Sequence, residues 1–418
     1  MARFLFVVPP FTGHINPTVP VGAELERRGH AVAWTGLPGT VEPLLAPGAT
    51  FLPATSEEVA EYVAQKAERP QELRGAAAFK FLQEEVLLPL AGAMAGGVDE
   101  AVDEFGAEVL VVDQQALAGA VIARRRGIPW ATSATTSAEL VDPLAALPLV
   151  ASAMHQARIQ LQLRNGVPAA VAAQGDLRLS PHLVLAYTSE LLTGPLADVP
   201  QARFVGPSTL GRPEHDDFPW SLLDEDLDLD LDGGAARRPR VLVSLGTLNA
   251  EAGERFWAVA ADACRDQPWQ AVFVAPPSLV PDQPGNVIVR ARIPQLAMLQ
   301  RVDAVVSHGG HNTVCEALAA GVPLVLAPIR DDQPVVADQV VQAGAGVRVK
   351  FSRVKADQLR AAIEQALADD GLRASAQRVQ RSFADAGGAS AAADHLEALT
   401  HERGGRVRPA PPSERSDV

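Results

Sequence analysis

The sequence predicts an α/β protein of two domains with parallel sheets, and three observations predict it. A chain of 418 residues suffices for two domains of roughly 200 residues, each with its own core. Short apolar runs that read as buried strands alternate with helical stretches, at 4–8, 108–113, 241–244, 271–274, 287–289, 302–307 and 323–327. Between the halves, residues 212–238 turn to Asp, Leu, Pro, Arg and Gly, the composition of a connector.

The first strand, 4–8, delivers its carboxyl end to Pro9-Pro10-Phe11-Thr12-Gly13-His14-Ile15-Asn16-Pro17, and a helix follows over 18–28 until Gly29 stops it. Alone, His14 reads as an ordinary loop residue. Asp113 changes that, because it ends the apolar run 109–112, and parallel strands present their carboxyl ends on one sheet edge. A carboxylate bonded to one imidazole nitrogen fixes the tautomer and raises the basicity of the other. Asp113 also suits the N-cap of a helix over 114–125, and the two roles are compatible.

Two apolar stripes lie in the first half: Phe79, Phe81, Leu82, Val86 and Leu87, then Leu140, Leu144, Leu147, Val150 and Met154. Such stripes read first as core and second as the lining of an apolar pocket. Strands over 183–187 and 203–207 close the first domain. The Asp-Leu-Asp alternation of 224–232 mimics a metal-binding pair, but a ligand pair needs a strand end inside a nucleotide domain, and this one lies in a charged connector. The second domain opens at Arg240 with a strand that leads into Ser244, Gly246 and Thr247.

Residues 302–316 form the centre of the second domain. The strand 302–307 ends at His308, Gly309 and Gly310 make the bend, and Asn312 opens a helix that Gly321 and Pro323 end. Bare glycine backbone permits close approach, and the amides of Asn312 and Thr313 carry the positive end of the helix dipole, so the turn is an anion cradle suited to phosphate. The same turn also occurs as plain structure in α/β proteins. Glu316 stands one turn along on the same face, where a carboxylate suits ribose hydroxyls. The absence of Lys excludes a P-loop. After the next strand, Asp332 and Gln333 sit in a loop at the carboxyl edge and suit polyol hydroxyls.

Together, His308, Gly309, Gly310, Asn312, Thr313, Glu316 and Asp332-Gln333 resemble the nucleotide-sugar signature of the glycosyltransferase family that includes plant and bacterial UDP-sugar-dependent transferases and actinobacterial macrolide transferases. The resemblance covers residues 1 to 400 or so. It implies a GT-B fold, two Rossmann-like domains facing each other across a cleft. It assigns His14 and Asp113 as base and base-orienting carboxylate, and Ser244, Gly246 and Thr247 as the first donor loop at the pyrophosphate. It implies that Arg292 takes the place of a base-stacking tryptophan found in many relatives, that the backbone from Ile293 reads the base edge, and that Gln295 lies on the ribose side. Gln295 reads equally well as a helix-start residue. Arginine also stacks on bases, so uracil and thymine both stay open.

The expected activity is a single inverting displacement that requires no metal or cofactor: His14 takes a proton from an acceptor hydroxyl, which attacks the anomeric carbon of a UDP- or dTDP-linked sugar. His308, Asn312, Thr313 and Thr247 meet the charge on the leaving diphosphate, and Asp332 with Gln333 favour a hydroxyl-rich hexose such as glucose. The partner is a small lipophilic acceptor. The alternatives are a dTDP-deoxysugar transferase of antibiotic biosynthesis, a lipid-linked cell-wall transferase, and a non-catalytic nucleotide-sugar-binding protein. His14 with Asp113 argues against the last.

A net charge of −14 argues against nucleic acid and anionic membrane surfaces. No apolar run reaches the roughly eighteen residues of a membrane span. Two cysteines, Cys264 and Cys315, suggest no disulfide framework, which suits a cytoplasmic protein. The expected organisation is an acceptor domain over 1–212, an acidic linker over 213–238, a donor domain over 239–386, a helix crossing back over 387–402, and a disordered tail over 403–418. Oligomeric state is not legible.

Overall fold

The computed structural model describes residues 1–56, 59, 78, 80–141, 148–209, 211–212, 217–224, 227–229, 235–246 and 253–401. The first sheet contains β1 (Arg3–Val7), β2 (Ala31–Gly36), β3 (Thr50–Pro53), β4 (Val109–Asp113), β5 (Trp130–Ala134), β6 (Leu183–Ala186) and β7 (Ala202–Phe204), in the order β3-β2-β1-β4-β5-β6-β7. All of its pairings are parallel. Alternate residues of β1 serve both faces, as a doubly covered strand must. Leu5 and Val7 meet α2 (Leu88–Phe105) and α3 (Leu117–Arg126), while Phe4 and Phe6 meet α1 (Thr18–Arg27). The strand order reverses between β1 and β4, where Val7 pairs with Val112, so their outgoing loops rise side by side.

The helix after Asp113 begins at Leu117, three residues later than expected. The Asp113 carboxylate accepts the Gln115 amide in a turn and does not cap the helix. Of the first apolar stripe, Leu82, Val86 and Leu87 are buried and cluster with Phe81 and with Phe11 of the His14 loop. Phe79 lies outside the described residues. In the second, Leu140 and Met154 are buried, the latter on α4 (Pro148–Arg164), and Leu144 and Leu147 lie outside the described residues.

The connector contains an antiparallel hairpin of β8 (Leu227–Leu229) and β9 (Ala235–Arg237). The second sheet contains β10 (Arg240–Ser244), β11 (Gln270–Val274), β12 (Val287–Arg290), β13 (Ala304–Ser307), β14 (Leu324–Leu326) and β15 (Gly346–Arg348), again wholly parallel, in the order β12-β11-β10-β13-β14-β15. Val241 and Val243 face α5 (Glu254–Cys264). Leu242 faces α6 (His311–Ala319) and α7 (Gln333–Gln342). Strand β13 starts at Ala304 because Asp303 still binds Arg237 and the Arg240 amide. Cys264 and Cys315 are both buried and unpaired with each other.

The last described helix, α8 (Gly388–His401), leaves the second sheet and places Ala392, Ala393, Leu396 and Leu399 in the same core as Phe4 and Phe6. Arg28 holds Asp394 at 2.6 Å and Glu397 at 2.7 Å, and His30 Nε2 lies 2.7 Å from Glu397. Burial of its apolar stripe ties the first domain to the chain's end. Residues 403–418 lie outside the described residues. Among the described residues, no helix is long and apolar enough to cross a membrane.

Candidate active site

The site begins where β1 and β4 end. His14 lies in a single helical turn, Thr12–Ile15, and its Nδ1 is 2.9 Å from Asp113 Oδ1 and 3.0 Å from Oδ2. The carboxylate only accepts, so Nδ1 carries the proton and Nε2 keeps its lone pair. Asp113 is 1% exposed, and a carboxylate so buried must have its oxygens satisfied. Gln115 N donates to Oδ1 at 2.8 Å and Thr135 Oγ1 donates to Oδ2 at 2.7 Å. The Thr135 hydroxyl oxygen also lies 2.7 Å from His14 Nδ1, closing a three-membered network.

Burial alone would weaken proton binding by His14. The charge and hydrogen bond of Asp113, with the charges of Glu139 and Asp332, outweigh it and hold the imidazole above 6.5. The Phe11 ring sits 5.6 Å from the His14 ring, so the imidazole stands at the edge of the apolar cluster of Leu82, Val86 and Leu87.

The residues expected on the donor side gather at the carboxyl ends of β10, β13 and β14. Ser244 pairs in register with Ser307, and each hydroxyl binds a loop amide: Gly246 N at 3.4 Å and Gly309 N at 3.1 Å. Both serines therefore fasten their turns. His308 fits between two glycines: a Cβ on Gly246 would lie 2.7 Å from its Cε1, and one on Gly310 would lie 2.5 Å from its Nε2. Burial, aided by the charge of Arg330 and opposed by a Ser244 backbone contact, lowers His308 to about 4. It is a neutral imidazole at physiological pH.

Helix α6 starts at His311 with Gly310 as its N-cap, one residue before the expected Asn312. Asn312 and Thr313 lie in its first turn. Asn312 Nδ2 donates to Gly13 O across the cleft at 2.5 Å. Glu316 accepts Gln295 Nε2 on Oε2 at 2.5 Å and meets Arg212 Nη1 on Oε1 at 2.5 Å. Gln295 also opens a short helix, Gln295–Leu299, the helix-start placement expected for it. Arg292 is exposed, and Ile293 packs against the second domain's core. Thr247 lies outside the described residues.

Asp332 precedes α7, and its Oδ2 accepts Thr136 Oγ1 across the cleft at 2.7 Å. Burial raises its carboxyl to about 6; the Thr136 hydrogen bond opposes the rise and Asp331 adds to it. Gln333 Oε1 accepts the amides of Ile329 at 2.8 Å and Arg330 at 3.1 Å, bonds that do not engage its NH₂. Two further contacts cross the cleft from Ser137, to Gln339 Oε1 at 2.6 Å and to His311 Nδ1 at 3.3 Å. The 135–137 segment after β5 therefore serves both halves of the site.

Residues 275–399 match a family described as Erythromycin biosynthesis protein CIII-like, C-terminal domain. Along its length the chain is 31% identical to 4′-demethylrebeccamycin synthase of Lentzea aerocolonigenes, over 95% of this chain and 99% of that one. The chain belongs to the GT-B glycosyltransferase family of antibiotic type. This glycosyltransferase superposes on the crystal structure of the kitacinnamycin glycotransferase with TM-score 0.73 and 27% identity, covering 95% of this chain and 98% of the other. It shares the fold of glycosyltransferase VinC in complex with DTDP, with TM-score 0.72 and 20% identity, covering 96% and 100% of the two chains.

Sequence reasoning missed several residues of the transferase's cleft: Thr135, Thr136 and Ser137, His311 and Arg212. The first three follow strand β5, and the carboxyl-edge rule that selected Asp113 also reaches them. His311 stood inside the His-Gly-Gly-His string. Arg212 had no signal, because it stands in irregular chain at the end of the first domain, beside the connector.

Proposed function

We propose that this glycosyltransferase performs one inverting displacement, without a metal, moving a hexose from a nucleoside diphosphate sugar to a hydroxyl of a small lipophilic natural product in the cytoplasm. The observation that carries the reading is the double contact of His14 Nδ1 with the buried, fully bonded Asp113 carboxylate. It leaves Nε2 as a proton acceptor beside an apolar wall. Nε2 takes the acceptor's proton, the oxygen forms a bond to the anomeric carbon, and the bond from that carbon to the diphosphate oxygen breaks with its electron pair leaving on the diphosphate. The α6 amino end and neutral His308 offer donors to that charge.

A glucose-like UDP donor is supported by Asp332 and the free amide of Gln333, which suit hydroxyls on a hexose. The second reading is a dTDP-deoxysugar donor. It is favoured by the Arg212–Glu316 pair, which occupies one carboxylate oxygen on the expected pentose side, and the neighbour VinC holds DTDP.

The test is turnover of UDP-glucose and of dTDP-linked sugars with a panel of lipophilic polyketide and aromatic alcohols, with and without EDTA, and NMR assignment of the product anomer. Inversion unaffected by EDTA is expected. Retention of configuration, or loss of activity in EDTA restored by a divalent cation, overturns the mechanism.

A further inference from the structure

We propose that Glu139 is a positioning residue of the transfer reaction: a second buried carboxylate that, through Gln115, holds the Asp113 carboxylate against His14 and helps to neutralise the positive charge the imidazole gains with the acceptor's proton. This rests on the reading of His14 as the base.

Glu139 is 6% exposed and ends a single helical turn, Ser137–Glu139, that the Thr136 side chain caps. The same stretch supplies Thr135 to the His14–Asp113 pair, so the turn is built onto the base. Gln115 joins the two carboxylates. Its Nε2 donates to Glu139 Oε1 at 2.7 Å, and its backbone N donates to Asp113 Oδ1 at 2.8 Å. The other oxygen of Glu139 lies 3.4 Å from Arg178 Nη1, while Arg178 Nη2 holds Asp176 at 2.7 Å. The chain of contacts from His14 therefore passes through Asp113 and Gln115 to Glu139 and ends on a guanidinium shared with Asp176.

Taking the proton turns the largely buried His14 ring into a cation, and such a charge is best met by anions already fixed in place. Asp113 touches the ring, whereas Glu139 acts through Gln115 and through its field. Its negative charge, with those of Asp113 and Asp332, favours the protonated ring against the burial that opposes it. His311 of α6 also feels the ring's charge, but burial lowers it to about 4 and it stays neutral. Glu84 and Glu85, on the segment that packs against Phe11, are exposed, and solvent screens them. The cations that oppose Glu139 are Arg178 and, beyond Asp176, Arg158. Arg178 gives its shorter contact to Asp176 and its longer one to Glu139, so Glu139 keeps negative charge to offer the ring.

The test is the pH profile of kcat/KM, together with NMR titration of histidine-labelled protein, in the wild type, Glu139→Gln and Arg178→Met. Thermal unfolding verifies that the variants fold, and His14→Ala assigns the His14 signal. Glu139→Gln keeps the shape and an oxygen for the Gln115 amide and removes the charge. The His14 titration and the kcat/KM inflection should both move to lower pH, and kcat/KM above the inflection should fall about three- to tenfold, a part of what general-base assistance supplies. Arg178→Met removes the opposing cation and should move both to higher pH, so either variant decides the matter if the other does not fold. A His14 titration unmoved in the variants that fold, or moved the same way in both, overturns the role of Glu139. If His14→Ala is inactive beside an unmoved Glu139→Gln profile, Glu139 falls alone and the base reading stands. If His14→Ala turns over at the wild-type rate, the base reading falls and takes this inference with it.

Discussion

The Thr135 hydroxyl donates to Asp113 Oδ2 at 2.7 Å while its oxygen lies 2.7 Å from His14 Nδ1. It ties the carboxylate and the imidazole to one hydroxyl. Thr135→Val keeps the shape and removes both contacts, so kcat/KM should fall about tenfold, with nucleotide binding unchanged, for the loss of one charge-assisted hydrogen bond. Thr135→Ser should restore most of it. A valine variant with wild-type kcat/KM would leave Thr135 as packing alone.

His14→Ala removes the base, and transfer should drop by about 10²- to 10⁴-fold, the usual worth of general-base assistance. Nucleotide affinity should stay within a few-fold, because the cradle belongs to the second domain. Single-turnover rates and calorimetry on the same preparation check both halves. Full turnover by the variant removes His14 from catalysis.

His14 binds its proton above 6.5, and the neutral ring is the active form. The kcat/KM should therefore decline as pH falls through a value above 6.5, and Asp113→Asn should move that inflection downward. The stability effect has the opposite sign. A folded-state value raised above the unfolded one stabilises below the unfolded value, and that contribution is lost as pH rises through the folded value. Activity and this stability term should thus change in opposite directions with pH, which pH–rate profiles and thermal unfolding across pH 5.5–8.5, a range of about three units around the ordinary histidine value, measure directly.

Glu316→Ala should have two separable effects. Nucleotide affinity should weaken by about 1–3 kcal/mol if the carboxylate binds pentose hydroxyls. Stability should also fall, since the buried Arg212–Glu316 pair is broken. Adding Arg212→Met should recover stability but not affinity. If denaturant titration shows the single variant as stable as wild type, the ion pair does not persist in solution.

Ser137 joins the halves through Gln339 and His311. Ser137→Ala should loosen domain closure, seen as a larger radius of gyration in solution scattering, and raise the donor KM more than it lowers kcat. An unchanged radius and KM would show that closure relies on the remaining cross-cleft contacts.

Several features were legible in the sequence because they depend on local chain physics. Apolar runs at 109–112, 241–244 and 304–307 bury on both faces of parallel strands, and the rule that such strands expose their carboxyl ends on one edge brought His14 and Asp113 together on paper. The glycine turn at 308–310 was legible because a positive φ, here 87° at Gly309, and the close-packed His308 ring exclude larger residues. Boundaries were less legible. The helix after Asp113 starts late because its carboxylate bonds the Gln115 amide, a choice made by burial and not by propensity.

What only the tertiary structure decided is who shares these groups. Thr135, Thr136 and Ser137 look like any polar run after a strand, and they matter because the second domain lies opposite them. Arg212 sits 104 residues from Glu316, and no periodicity links a connector to a helix that distant. The sequence by itself determined the strands, the glycine turn and the pairing of His14 with Asp113, since each depends on neighbours within a few residues or on one sheet edge. The partners across the cleft were settled by packing of the two domains, because an ion pair or hydrogen bond between distant segments depends on where those domains meet.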